Sequence, residues 1–180
     1  ESYLDSYQVT VTLQKAEGGA KQVLTAPLSF GSTPLYHDIA DAQQFKDVMT
    51  KYGQNYENFR ITGEIDLSQV SDVPLNLKIN RLVGAGSVHT ISNLSYQIQS
   101  QGQSLFQVLT GTMENLTFKD MTVTSASSST VSGGENVGLI SINQGEIRNT
   151  SFENIAITAP SRSQKTGLIG TNMGTVKNVN

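Results

Sequence analysis

Histidine is the residue with which a chain most readily carries out acid–base chemistry or binds a metal near neutral pH. His37 and His89 are the only two histidines, they lie far apart in the sequence, and there is no His-Glu-x-x-His segment. A catalytic zinc site takes about three protein ligands. We therefore predict no metal site within these 180 residues and place both histidines in solvent-exposed loops.

Carboxylates are the second source of chemistry, because glycosidases and lyases need them in clusters. Glu64 and Asp66 are two residues apart and share a face of a predicted strand, but no base is close to them in the sequence. In the later part of the chain Glu114 is equivalent to Arg148, and Lys119 to Glu153. Stacked strands would place each set about 4.8 Å apart. We predict cross-strand ion pairs there and no catalytic residue.

Three sequons begin at Asn93, Asn115 and Asn149. They have the pattern of N-glycosylation acceptors. They also recur at equivalent positions of a repeat, and asparagine at a tight corner tolerates unusual backbone angles and bonds to its own backbone. We favour a structural ladder of corner asparagines over glycosylation.

Composition excludes several classes of function. The 180 residues carry a net charge of −3 and no cysteine. No cluster of Lys and Arg indicates nucleic-acid binding, and no apolar run reaches the roughly 20 residues of a membrane span. The sequence begins at Glu1 without an initiator methionine or a signal peptide, so we expect it to be part of a longer protein.

Three segments, 105–124, 139–158 and 168–180, align with one another, and residues 82–100 form a weaker copy. Each of the three begins with Leu and continues with a Gly and then an Asn at fixed intervals. The glycines are Gly111, Gly145 and Gly174, and the asparagines are Asn115, Asn149 and Asn178, with Asn93 in the weaker copy. The intervals between successive asparagines are unequal, but the segments 125–136 and 160–166 between them have loop composition. Without these two segments every interval becomes about 22 residues, a period in the range of short solenoid repeats.

A repeat this short, bounded by Gly and Asn, is typical of one coil of a β-solenoid. Three residues after each asparagine stands an aromatic side chain, which predicts a core stack of Tyr96, Phe118 and Phe152. The leucine-rich repeat is the competing solenoid, and its Leu-x-x-Leu-x-Leu pattern is absent. The predicted fold is mainly β, a right-handed parallel β-helix in which one coil corresponds to one repeat of about 22 residues.

The first third of the chain follows other patterns. Residues 7–15 and 22–28 read as two strands around a Gly-Gly turn. Apolar residues from Ile39 to Tyr52 fall on one helical stripe that Gly53 ends, with Asp38 or Asp41 as the N-cap. We predict a β-hairpin or linker over 1–36, a capping helix over 37–58, and β-helix coils over 59–180 that stop inside a repeat. The helix is expected to cover the first coil; the alternative is packing along the outside.

The segments GLISINQGEIRN at 138–149 and GLIGTNMGTVKN at 167–178 resemble the GLUG motif, Gly-Leu-Ile/Val-Gly-x-Asn-x-Gly-x-Ile-x-Asn. Residues 81–121 and 58–68 also resemble the N-terminal, non-catalytic region of the immunoglobulin A protease-like zinc metallopeptidases of Gram-positive bacteria. The resemblance covers about residues 37–180. That family's zinc-binding motif has no counterpart here, so the resemblance implies zinc in the parent protein and no cofactor in this part of it.

The resemblance implies a non-catalytic β-helical region of a large secreted or wall-attached bacterial virulence protein. Its partners would be adjacent domains of the same chain and a host glycoprotein, with no nucleic acid and no membrane insertion. An adhesin or stalk is the alternative function. A carbohydrate-active β-helix enzyme is the third, and the absence of a convincing carboxylate pair disfavours it.

Overall fold

A computed structural model describes residues 7–13, 22–28, 35–98, 103–125, 136–158 and 165–180. The chain divides into two compact units, Glu1–Pro34 and Leu35–Asn180. In the first unit, β1 (Tyr7–Leu13) pairs antiparallel with β2 (Gln22–Leu28), and Tyr7 lies opposite Leu28. These strands agree with the predicted hairpin, whose Gly-Gly turn lies outside the described residues.

The second unit contains one α-helix and fourteen strands in its described residues. The elements that precede the long strands are β3 (His37–Ile39), α1 (Ala42–Tyr52), β4 (Glu57–Ile61), β5 (Ile65–Asp66), a 3-10 helix (Leu67–Gln69), β6 (Leu77–Gly84), β7 (His89–Ser92), β8 (Ser95–Ile98) and β9 (Phe106–Leu109). The remaining strands are β10 (Thr112–Ser125), β11 (Asn136–Val137), β12 (Ile140–Asn143), β13 (Glu146–Thr158), β14 (Lys165–Thr166), β15 (Ile169–Asn172) and β16 (Thr175–Val179).

Twelve of these strands form one sheet, along which the order is β15-β12-β9-β6-β10-β13-β16. Strands β3, β4, β5, β7 and β8 join this path from the side, and β11 pairs separately with β14. Every pairing in the second unit is parallel. The chain is therefore mainly β with a parallel sheet, as the sequence predicts.

The register of the later strands follows the predicted repeat. Met113 of β10 pairs with Ile147 of β13, and Ile147 pairs in turn with Val176 of β16. Met113 and Ile147 are fully buried, whereas Val176 is 40% exposed. Residues that are equivalent in the aligned copies are thus spatial neighbours, although the intervals between them are unequal. The pairing of β10, β13 and β16 is therefore in register across copies that are separated by unequal lengths of sequence.

The weaker copy is aligned differently from the prediction. Ile91 pairs with Phe118, and Tyr96 pairs with Val123. Tyr96 is therefore absent from the stack of Phe118 on Phe152, whose ring centroids are 5.4 Å apart. The fixed period fails because this copy has its own turn after Gly84. Leu82 pairs with Met113 and His89 with Leu116, so a step of 89 − 82 = 7 residues here matches a step of 116 − 113 = 3 residues in β10.

Corner asparagines adopt the left-handed conformation that this residue tolerates better than most. Asn115, Asn149 and Asn178 have φ of 56°, 47° and 49°. Asn93 also has a positive φ of 60°, but the pairing of Ser92 with Lys119 places it beside Asp120 at a second corner. The prediction that Asn93 belongs with Asn115 is therefore wrong, for the same reason of register.

The glycines mark a place where successive strands approach most closely. Glu146 N–H donates to the Gly111 carbonyl at 2.7 Å, and Thr175 N–H to the Gly145 carbonyl at 2.9 Å. A Cβ on Gly145 would overlap the Gly111 carbonyl oxygen, and one on Gly174 would overlap that of Gly145. The three predicted turn glycines therefore lie in one column in which a side chain has no room.

Helix α1 begins at an arrangement close to a capping box, in which the side chain of Gln44 bonds to the residue before the N-cap and not to the N-cap itself. Asp41 Oδ1 accepts from Gln44 N–H at 2.8 Å, and Gln44 Oε1 accepts from Ala40 N–H at 2.9 Å. The helix ends at Gly53 and buries Ala42, Phe45 and Met49. Of the two predicted caps, Asp41 is the one used.

The parallel sheet begins earlier than predicted. Residues His37–Ile39 form β3, which pairs with Phe59–Ile61 of β4, so the first strand precedes the helix. The predicted boundary between a helical segment 37–58 and strands from 59 is therefore wrong. A strand of three residues is too short to show alternation. Helix α1 contacts β3 and β5. Each of these is the first strand of a stack, since β3 pairs with β4 and β5 with β7.

Candidate functional site

Charged side chains on the outward faces of β10, β13 and β16 form a row of ion pairs. Arg148 Nε donates to Glu114 Oε2 at 2.6 Å, as predicted. Glu146 continues the row, with Oε2 3.8 Å from Arg148 Nη1 and Oε1 3.3 Å from Lys177 Nζ. The bond to Glu114 raises the pKa of Arg148. Exposed pairs of this kind contribute about 0–1 kcal/mol each and mainly favour one register.

The second predicted ion pair is not formed in the described part of the chain. Lys119 and Glu153 are neighbours in register, yet no bond joins their side chains. The adjacent corner is bridged instead, because Asn154 Nδ2 donates to Asp120 Oδ1 at 2.5 Å. Both Asp120 and Asn154 have positive φ, so a corner ladder replaces the expected ion pair.

Glu64 has the partner base that its sequence neighbours did not supply. His89 Nδ1 lies 3.7 Å from Glu64 Oε1, and Glu64 Oε2 accepts from Thr90 N–H at 3.0 Å. The His89 side chain is only 14% exposed, so its predicted place in an open loop is wrong. Parallel pairing of β5 with β7 brings these distant residues together.

Glu64, His89 and Ser87 follow one another as carboxylate, imidazole and hydroxyl, which is the order of groups in a hydrolytic triad. Ser87 Oγ lies 3.4 Å from His89 Nε2, but the Ala85 carbonyl oxygen lies closer, at 3.2 Å. A ring nitrogen that donates its proton to a carbonyl cannot accept one from a serine. The arrangement holds the turn 85–88 against β5, and we assign it a structural role.

His37 is likewise built into the fold. Its ring stacks on Tyr52 with centroids 4.1 Å apart, and its Nε2 lies 3.9 Å from Glu57 Oε2. It belongs to β3, which corrects its predicted loop position. Across the described residues no group of three or more His, Cys, Asp and Glu side chains lies close enough to hold a metal ion.

A cleft of about 420 Å³ opens between the segment 67–75 and the start of β8. Its floor is apolar and buried: Leu67 is 2%, Leu94 6% and Tyr96 9% exposed. Its other lining residues are Ser68, Val70, Ser71, Asp72, Val73, Leu75, Asn93 and Ser95. We name this feature the β8 cleft. It combines an apolar floor with hydroxyl, amide and carboxylate groups.

Asp66 braces one end of the β8 cleft. Its Oδ1 accepts from Asn93 Nδ2 at 2.9 Å, from Ser68 Oγ at 2.7 Å and from Ser68 N–H at 3.1 Å. These donors, with Asn93 the strongest, lower the pKa of Asp66 to about 2. The lowered pKa means that these bonds favour the folded state above pH about 4. That contribution is lost as pH falls toward 2.

Replacing Asn93 with alanine is expected to raise the pKa of Asp66 toward its ordinary value of 3.8, because the largest stabiliser of the carboxylate is removed. The measurement is a titration of the Asp66 side-chain carboxyl carbon by NMR. Asn58→Ala, which alters an amide remote from Asp66, is the control. An unchanged Asp66 midpoint in Asn93→Ala would contradict the assignment of Asn93 as its main donor.

Tyr96 joins the floor of the β8 cleft to two connections of the chain. Its hydroxyl donates to the Gly138 carbonyl at 2.9 Å and accepts from Leu105 N–H at 3.1 Å. Burial raises the pKa of Tyr96, so the hydroxyl stays protonated. Contrary to the prediction, Tyr96 does not stack in the column of Phe118 but links Gly138 and Leu105 through its hydroxyl.

Replacing Tyr96 with phenylalanine is expected to lower the free energy of unfolding by about 1–3 kcal/mol, because a buried N–H and a buried carbonyl lose their partner. Urea denaturation gives the difference. Tyr56→Phe is the matched control, since Tyr56 is 46% exposed and should change stability little. Equal stabilities for the two variants would show that the Tyr96 bridge contributes nothing.

The β8 cleft is the feature that sequence reasoning missed. Residues 67–75 carry no repeat signal, and Asp72 and Asn76 adopt positive φ within an irregular connection. The one sign of the cleft in the sequence is the lack of a strand pattern between β5 and β6, where Pro74 interrupts the alternation of apolar residues.

The chain has no significant match among family models, curated proteins or solved structures. No described helix has the length and apolar character needed to cross a bilayer.

Proposed function

We propose that residues 35–180 form a right-handed parallel β-helix that serves as a non-catalytic, substrate-engaging region of a large secreted or wall-attached bacterial protein. The observation that supports this most is the register of β10 on β13, in which Phe118 lies on Phe152 and Met113 on Ile147. Like residues stack on like from one strand to the next, as successive coils of a solenoid require.

Handedness and capping follow from the same proposal. Parallel strands in one sheet are joined by right-handed connections in about 98% of cases. Helix α1 buries Phe45 and Met49 and contacts the first strands β3 and β5. In a β-helix this is the end that needs a cover, because an open first coil exposes its core and its strand edges.

The scaffold role rests on how the outward charges are used. Arg148 forms an ion pair with Glu114 on the neighbouring strand and another with Glu146 on its own strand, so these side chains brace the surface. The β8 cleft remains as a concave surface on which a partner can bind. By resemblance, we propose that the parent protein is a zinc metallopeptidase and that the partner is a host glycoprotein.

The test is made on the parent protein. Deleting residues 35–180 is expected to leave turnover of a short peptide substrate within about twofold and to lower kcat/KM on the intact glycoprotein at least tenfold. Equal losses on both substrates would overturn the substrate-engaging role. A coding region with no downstream His-Glu-x-x-His would overturn the peptidase assignment. Many further repeats ending in a wall anchor would favour the adhesin or stalk.

A further inference from the structure

The paired strands form parallel stacks, and the stack that contains β8 begins one strand later than the stack beside it. In the first of these stacks β8 pairs with β10, and β10 pairs with β13, through Ser95↔Thr122 and Thr122↔Ala156. In the second stack β7 pairs with β10, and β5 precedes β7 as an additional first strand. Next along the chain after β5 come the 3-10 helix and residues 70–76, which form no strand. The β8 cleft lies where that strand would be.

The β8 backbone has one bonded edge and one open edge. Thr122 N–H donates to the Leu94 carbonyl at 2.8 Å. In a parallel pair the residues alternate in direction, so Tyr96 also bonds toward β10 while Ser95 and Gln97 direct their N–H and carbonyl groups away from it. Within the described part of the chain, no strand pairs with this second edge of β8. Open edges of this kind accept an added strand.

The surroundings of this edge select the kind of strand. Leu67, Leu94 and Tyr96 supply an apolar floor. Asp72 is an exposed carboxylate on the rim, and the described lining contains no basic side chain to balance it. A lysine or arginine side chain can lie along apolar surface while its charged end reaches a carboxylate at the rim.

We propose that the β8 cleft binds an extended peptide segment of a partner protein, which adds a strand to the open edge of β8 and directs a lysine or arginine toward Asp72. This inference rests on the proposed role as a binding region and names the chemistry of what is bound. It does not depend on the parent being a peptidase.

The probe is a fluorescein-labelled peptide, Thr-Val-Thr-Arg-Thr-Val-Thr, titrated with the full 180-residue chain and followed by fluorescence anisotropy. Its matched control has Glu in place of Arg. We expect the Arg peptide to bind at least tenfold more tightly, and Asp72→Asn to remove most of that difference. Asp47→Asn, a change on the exposed face of α1, should leave it unchanged. Equal binding of both peptides would overturn the charge assignment.

Strand addition is tested on the peptide backbone, which leaves the protein unaltered. N-methylation of alternate amides removes the donors that face β8 in one series and those that face solvent in the other. One series should lose binding at least tenfold and the other should keep it. Equal effects of the two series would overturn strand addition, as would tighter binding of a neutral oligosaccharide.

The outcomes separate this inference from the proposed function. If no peptide binds at concentrations up to about 1 mM, while deletion of residues 35–180 still impairs turnover of the glycoprotein, the β8 cleft is not the binding surface and the scaffold role stands. If peptides bind as expected and the deletion has no effect, the cleft proposal stands and the substrate-engaging role of the parent falls.

Discussion

Replacing Gly145 with alanine is expected to lower the free energy of unfolding by roughly 3 kcal/mol or more, a large part of the roughly 5–15 kcal/mol that stabilises a typical domain. The added Cβ would overlap the carbonyl oxygen of Gly111, a backbone atom that cannot rotate aside. That carbonyl also accepts from Glu146 N–H at 2.7 Å. The two strands cannot separate to make room without breaking this bond.

Gly167→Ala is the control for this experiment. The nearest atom to a Cβ at Gly167 is the Ile169 carbonyl oxygen at 3.7 Å, an ordinary contact. The free energy of unfolding of this variant should stay within about 0.5 kcal/mol of that of the unsubstituted chain. Urea denaturation followed by circular dichroism compares the two variants. If Gly145→Ala proved as stable as Gly167→Ala, the close approach of the glycine column would be wrong.

Replacing Phe118 with alanine is expected to cost about 3–5 kcal/mol, the range for a buried aromatic that leaves a cavity. Phe118 is fully buried, stacks on Phe152 at 5.4 Å and meets Phe106 edge-on at 5.8 Å. It therefore contacts aromatic rings in β13, which pairs with β10, and in β9, which does not. Its loss should loosen both at once.

Phe152→Ala provides the comparison, because Phe152 occupies the same column but is only partly buried. Its cost should be smaller by at least about 1 kcal/mol, since less apolar surface is removed from a closed interior. Thermal and urea unfolding of both variants give the two values. A larger loss for Phe152→Ala would place the centre of the core in β13 instead of β10.

Where the sequence predicts the fold well, geometry leaves the residue type little choice. Gly145 is required by the approach of Gly111, and Asn115 and Asn149 are favoured by their left-handed backbone. These constraints repeat with the strands, so the repeat is visible in the sequence even though its intervals are unequal. The alignment fails at residues 82–100, because the turn after Gly84 has no counterpart in the later copies.

The surface features were harder to predict, for two physical reasons. Glu64 and His89 meet only because β5 pairs with β7, and local sequence carries no sign of a contact between residues so far apart. The β8 cleft arises from a strand that is missing, and hydrophobic periodicity reports the strands that are present. The row of Glu114 and Arg148 was predictable because both belong to well-aligned copies.

Each parallel pairing in the second unit joins segments that are separated by a similar length of chain, from His37 with Phe59 to Phe106 with Ile140. Because loop-closure entropy grows only slowly with length, each step of assembly costs nearly the same. In the proposed β-helix, folding can advance from one end once the first coil has formed, because each new coil contacts only the coil before it. A chain of this architecture can therefore lengthen over evolution without making its last steps of folding harder than its first.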